Sequence, residues 1–124
     1  MSLVAGTIIF TRDDQSYFLV ADTLPKQQFY TVKMHRHEGD TALGSLLTGL
    51  KTDLGIDPNN LRLGEIAGWR MDGNEVISLY TLDAVDSTAF DLTRLDLVGV
   101  HFVSARDAAE LLLDVDMMAA VRLD

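Results

Sequence analysis

Apolar residues recur along this chain at two spacings, and the switch between them marks the elements. Val4 to Phe10 and Tyr17 to Ala21 are β-branched and aromatic runs, which predicts two strands, and the polar stretch Thr11 to Ser16 between them reads as a hairpin loop. Asp22 to Gln27, with Pro25 inside it, reads as a connector, and Phe29 to Lys33 resumes an extended pattern. The spacing then changes. Leu43, Leu46, Leu47, Leu50 and Leu54 recur at helical steps, which predicts an amphipathic helix of about three and a half turns from Thr41 to Leu54. Asp40 or Thr41 supplies its N-cap, Gly55 a left-handed C-terminal residue, and Asp57-Pro58 the exit.

Leu61 to Arg70 and Glu75 to Leu82 read as two further strands, joined across Met71-Asp72-Gly73-Asn74, where Asp-Gly suits the positive backbone angles of a tight turn. Asp83 to Asp96 shows no period and reads as a loop with a short turn around Leu92 to Leu95. Val98 to Val103 is another strand. Ser104 then caps a second helix, with Asp107 three residues on, and Ala108, Leu111 and Leu112 on its core side. Asp116 begins a last helical turn or two through Met117, Met118 and Val121. Strands, a helix, more strands and a helix describe an α+β layered sheet with helices over opposite faces, not a regular βαβ winding.

Composition narrows the classes. A chain of 124 residues with 48% apolar residues builds one domain, 1–124, around one core. Without cysteine there is no disulfide framework, zinc-thiolate site or thiol nucleophile, and a reducing cytoplasm is the natural compartment. The apolar run Leu3 to Phe10 is broken by Gly6 and Thr7 and has no basic flank, so neither a signal peptide nor a membrane span is expected. A formal charge of −9, with no Lys/Arg stripe to relieve it, argues against a nucleic acid polymer as partner. A small anionic ligand bridged by a metal ion remains compatible with that charge.

Candidate chemistry gathers before the central helix, where His35, His37, Glu38 and Asp40 fall close together. In an extended segment His35 and His37 point to one side and, with Glu38 or Asp40, would ligate zinc, manganese or iron. The plain alternative is a solvated loop, with Asp40 acting as a helix cap. Asp53 reads either as a functional acid or as a surface acid near Lys51. Trp69 and Tyr80 read first as packing residues, Glu75 as a strand-edge charge, and Met117-Met118 as soft packing that, if exposed, would mark a homodimer face.

The stretch from Met34 to Ile56 resembles the signature of the Nudix hydrolases, G-x5-E-x7-R-E-U-x-E-E-x-G-U with U a bulky aliphatic. Gly55-Ile56 anchors its end, Leu50 meets the aliphatic position, Asp53 the last glutamate and Asp40 the first, and Gly39-Asp40-Thr41 is similar to the usual Gly-Glu-Ser/Thr step. Met34 stands at the leading glycine, Thr48 at the arginine, and Gly49 and Thr52 at two of the glutamates. The resemblance implies a Nudix-type α/β/α sandwich with a mixed β-sheet between helices, acting on a small diphosphate-containing molecule such as a nucleoside diphosphate linked to another group. It also implies a divalent ion, Mg2+ or Mn2+, held weakly by Asp53 and Asp40 with His37 or Glu38 assisting, because most of the carboxylates are absent. In such an arrangement Trp69 and Tyr80 would border the substrate cleft and Glu75 would be a distant base. Two functions follow from the resemblance: a metal-dependent hydrolase with weak turnover, or a non-catalytic ligand-binding or interaction domain.

Overall fold

Alternation along the first strand explains why both faces of the sheet are covered. In the computed structural model, which describes residues 2–23, 26–34, 41–72 and 75–116, β1 spans Ser2–Arg12. Its Val4 and Ile8 join one apolar cluster and its Ala5 another, all three fully buried. A strand buried on both faces belongs at the middle of a sheet, and β1 is there. It pairs antiparallel with β2, Gln15–Thr23, and with β4, Tyr30–Met34, and parallel with β6, Glu75–Ala84. With β3, Lys26–Gln28, and β5, Leu61–Asp72, the main path runs β3-β2-β1-β6-β5, and a short β8, Val115–Asp116, extends it beyond β5. β7, Val100–Ser104, pairs with β2. The result is a mixed sheet in an α+β fold.

The central helix, α1, runs Ala42–Leu54 and ends as its sequence requires. Thr41 is the N-cap, its Oγ1 accepting from the Gly44 amide at 2.9 Å. Gly55 takes the left-handed conformation, φ 69°, while the amides of Gly55 and Ile56 satisfy the carbonyls of Lys51 and Leu50. Leu46, Leu50 and Leu54 are buried against β1 and β4. The helix lies unusually close to the sheet at two glycines: a Cβ at Gly6 would come 2.6 Å from Leu46 Cδ2, and one at Gly49 would come 2.6 Å from Val32 Cγ1.

Several loops of the sequence reading turn out to be ordered elements. The hairpin loop shrinks to Asp13-Asp14, both at positive φ (52° and 65°), because β1 and β2 stay paired out to Arg12 and Gln15. The expected connector from Asp22 contains pairing between β2 and β3, with Asp22 opposite Gln27. The aperiodic stretch holds α2, Leu92–Leu97, capped by Asp91 and seated by the buried Leu95. Ser104 does accept from the Asp107 amide at 3.2 Å, but the turn it closes leads only to a short helix, α3, Ala109–Leu112. Asp116 lies in β8, paired with Gly68, and not in a helix. The expected final turn through Met117, Met118 and Val121 falls outside the described residues.

The two apolar clusters lie on opposite faces. Val4, Ile8 and Leu19 meet α1 and α2 on one face, while Ala5, Val20, Ala67 and Leu79 meet Leu111 of α3 on the other. Trp69 packs edge-on against Phe29 on the second face, ring centroids 5.1 Å apart, and its Nε1–H has no acceptor among the described residues. A buried donor left this way costs about 1–3 kcal/mol. No helix among the described residues is long and apolar enough to cross a membrane.

Candidate functional site

Tyr30 and Tyr80 stand on either side of Gly6 in the same row of the sheet, β4-β1-β6. Because Gly6 has no side chain, Leu46 of α1 sinks between the two rings. That close approach carries the C-terminal half of α1 onto Tyr30, whose ring is buried. Tyr30 reaches past Gly49 and donates its hydroxyl hydrogen bond to Asp53 Oδ2 at 2.9 Å. Burial, and then the hydrogen bond to Asp53 and its negative charge, push the Tyr30 phenol well above the usual tyrosine range. The phenol is therefore a neutral donor at physiological pH. Thr52 adds its hydroxyl at 3.4 Å from Asp53 Oδ1, although its better bond, 2.9 Å, returns to the Thr48 carbonyl.

This geometry gives Gly49 a reason that the sequence alone does not supply. A Cβ there would lie 2.8 Å from the Tyr30 hydroxyl as well as against Val32. The place where a carboxylate at position 49 would project is thus taken by a tyrosine hydroxyl. A hard divalent ion needs several oxygen ligands around it. On α1 the acid at position 53 already accepts from Tyr30, position 49 has no side chain, and Thr52 bonds its own helix backbone. Among the described residues no group of three or more His, Cys, Asp or Glu side chains could hold a metal ion. The described part of α1 offers such an ion one carboxylate, Asp53.

Of the other sequence candidates, those that the structure describes lie apart from one another. Asp40, His37, Glu38 and His35 lie outside the described residues. Thr41 and Asp53 stand at opposite ends of α1, and the expected pairing of Asp53 with Asp40 falls on a position outside the described residues. Glu75 opens β6, five residues before Tyr80, about 16 Å along the strand from the row that holds Tyr30. Tyr80 packs on the α1 face, and Trp69, 1% exposed, belongs to the opposite face. Among the described residues, Trp69 and Tyr80 therefore face opposite sides of the sheet and do not border one cleft.

Two clefts have Phe29 in their walls. The smaller, about 220 Å³, is lined by Asp53, Leu54, Tyr30, Thr31 and Val100. The larger, about 450 Å³, lies on the α3 face with Ile9, Phe18, Phe29 and Leu79 among its apolar walls, and Glu65 and Asp83 among its polar groups. A register shift between Leu63 and Ile66 re-aims β5 here. Gly64 permits it, since a Cβ would meet Thr81 Oγ1 at 2.8 Å. In return Thr81 Oγ1 accepts from the Glu65 amide at 2.7 Å and lies 3.2 Å from the Glu65 carbonyl, to which it donates. An apolar pocket with a few fixed polar groups is the usual form of a small-molecule site. Phenylalanine walls suit a flat ring, and carboxylates at the rim accept N–H donors. Sequence reasoning missed Tyr30, Glu65 and Asp83. The available signals were an unexplained glycine inside a helix and Gly64 inside a strand pattern.

No family model matches this sequence, and no curated protein does. Solved structures do. The chain aligns with an Ap4A hydrolase from C. elegans over 89% of its own length and 84% of that chain, at 12% identity and a TM-score of 0.64. A Nudix hydrolase from M. smegmatis, RenU, aligns over 89% of this chain and 74% of the other, at 10% identity and a TM-score of 0.64. The NUDIX domain of Shewanella oneidensis NrtR, solved in complex with ADP ribose, aligns over 100% and 88%, at 12% identity and a TM-score of 0.54. At these identities the likeness is one of fold. The chain has the Nudix fold.

Proposed function

We propose that this chain, folded as a Nudix domain, binds small diphosphate-containing molecules of the nucleoside-diphosphate-linked kind and cleaves them slowly or not at all. One observation carries the reading: the Tyr30 hydroxyl bonds Asp53 across Gly49, in the space where a further metal-binding carboxylate would stand. Metal-assisted hydrolysis requires the protein to fix an ion that activates water and neutralises phosphate charge. A magnesium ion does make do with one or two protein carboxylates when substrate phosphates complete its shell. Asp53 would be that carboxylate, and an ion would have to compete with Tyr30 for it.

The cleft between Phe18 and Phe29 is where we place the ring of the ligand, with Glu65 and Asp83 receiving its N–H groups. The ADP ribose complex of the NrtR domain supports the ligand class. We place the protein in the cytoplasm, which suits a chain without cysteine.

The test is calorimetric titration with ADP ribose, a nucleotide sugar, a dinucleotide and an oxidised nucleotide, beside a product assay with Mg2+, Mn2+ or Zn2+. Binding with little turnover is the expected result. Rapid magnesium-dependent cleavage abolished by Asp53→Ala would overturn it. Cleavage that survives Asp53→Ala but disappears in a His35→Ala/His37→Ala double variant would move the chemistry to the loop before α1.

A further inference from the structure

The α3 face carries a second, larger cavity that the proposed function does not use. It encloses about 640 Å³ between β3, β5 and α3, and its walls include Lys26, Trp69, Met71, Arg106, Asp107, Glu110 and Asp114. Two independent features point to a ligand. The first is Trp69, 1% exposed, whose Nε1–H has no acceptor among the described residues. Such donors are rare in folded proteins, and a bound acceptor is one of the few things that explain them. The second is the pattern of charge. Lys26 and Arg106 make no ion pair among the described residues, where the only ones join His101 to Asp22 and Asp96. The three acids of the wall are likewise without a cationic partner there.

Charge of both signs selects the ligand. A polyanion would find Lys26, Arg106 and the indole N–H, but would lie against three carboxylates in a protein of net charge −9. A simple cation would satisfy the acids, face two positive side chains and leave the indole N–H without an acceptor. A molecule with an oxyanion at one end and an ammonium at the other meets every one of these groups. We propose that this cavity binds a small zwitterion of the amino-acid or dipeptide class. Its carboxylate lies toward Lys26, Arg106 and Trp69, and its amine toward the acids carried by and flanking α3. The indole nitrogen is itself closed off from solvent, so an acceptor reaches it only as the wall shifts, and Met71, unbranched and deformable, is the side chain there best able to do so.

The site is separate from the diphosphate cleft and stands or falls independently of it. It can be read directly, because the chain has a single tryptophan. The 15N-labelled protein is titrated with glycylglycine and with free L-amino acids while the one indole N–H resonance and the tryptophan emission are followed. Acetate, ethylamine and inorganic phosphate serve as partial ligands. The expected result is saturable movement of both signals with a zwitterion, and much weaker effects of acetate or ethylamine alone. Affinity should fall about tenfold or more in Arg106→Gln and in Glu110→Gln, each of which removes one charged partner at an exposed position. No saturable response to any zwitterion would overturn the proposal, as would phosphate or acetate binding as tightly as the dipeptide, or indifference to both substitutions.

Discussion

Replacing Gly49 with alanine tests the α1–β4 contact because two effects of opposite sign compete. In an exposed helix interior the change would stabilise the protein by about 1 kcal/mol, the difference in helix propensity. Here the new methyl would sit 2.6 Å from Val32 Cγ1 and 2.8 Å from the Tyr30 hydroxyl. Neither neighbour yields easily, since valine is stiff at χ1 and the hydroxyl is the end of a rigid ring held by Asp53. Overpacking of this kind costs about 1–3 kcal/mol, so the expected net change is a loss of about 1 kcal/mol. Urea unfolding followed by tryptophan emission should show a lower midpoint at unchanged slope. In a Tyr30→Phe background the alanine should cost less, because one of its two close contacts has gone. A Gly49→Ala protein more stable than the parent by the full propensity gain would refute the packing argument, and with it the claim that Tyr30 fills this position.

Two further predictions concern the same region and the first hairpin. Tyr30 holds its proton more tightly folded than unfolded, so above the ordinary tyrosine value of about 10 the unfolded chain binds fewer protons than the native one. Its contribution to stability is therefore full below about pH 10 and is lost as pH rises beyond it; urea midpoints between neutral and alkaline pH should fall less steeply in Tyr30→Phe, and equal slopes would contradict the burial and hydrogen bond assigned to this phenol. At the other end of the sheet, Asp14 adopts φ 65° in the two-residue turn, so Asp14→Gly should stabilise by about 0.5–1 kcal/mol in thermal unfolding. A destabilised variant would mean that the turn is not the left-handed pair described.

Much of the architecture was legible in residue order. The leucine spacing of α1, the cap at Thr41, the stop at Gly55 and the Glu75 strand all depend on neighbours a few positions apart, and local patterns record such forces directly. The β2–β3 pairing, the growth of the expected turn at Leu92 to Leu95 into α2, and β8 were not legible. Each is short and held by distant partners: β8 by Gly68 and Trp69, and α2 by the burial of Leu95 and by Arg94 reaching the Thr52 carbonyl at 3.3 Å. A two-residue strand has no period of its own.

The candidate site divides along the same line. The sequence by itself determined that most of the acidic positions of α1 were missing, because identity at a helical position needs no coordinates. It also determined that the helix would present positions 49 and 53 together. Only tertiary structure decided what replaced the missing groups. Tyr30 lies nineteen residues before Gly49 in the chain, and nothing local joins them; the β1–β4 register and the sinking of Leu46 onto Gly6 bring the phenol to Asp53. The same holds for the indole of Trp69, without an acceptor among the described residues, since residue type announces a donor and only packing determines whether anything accepts from it.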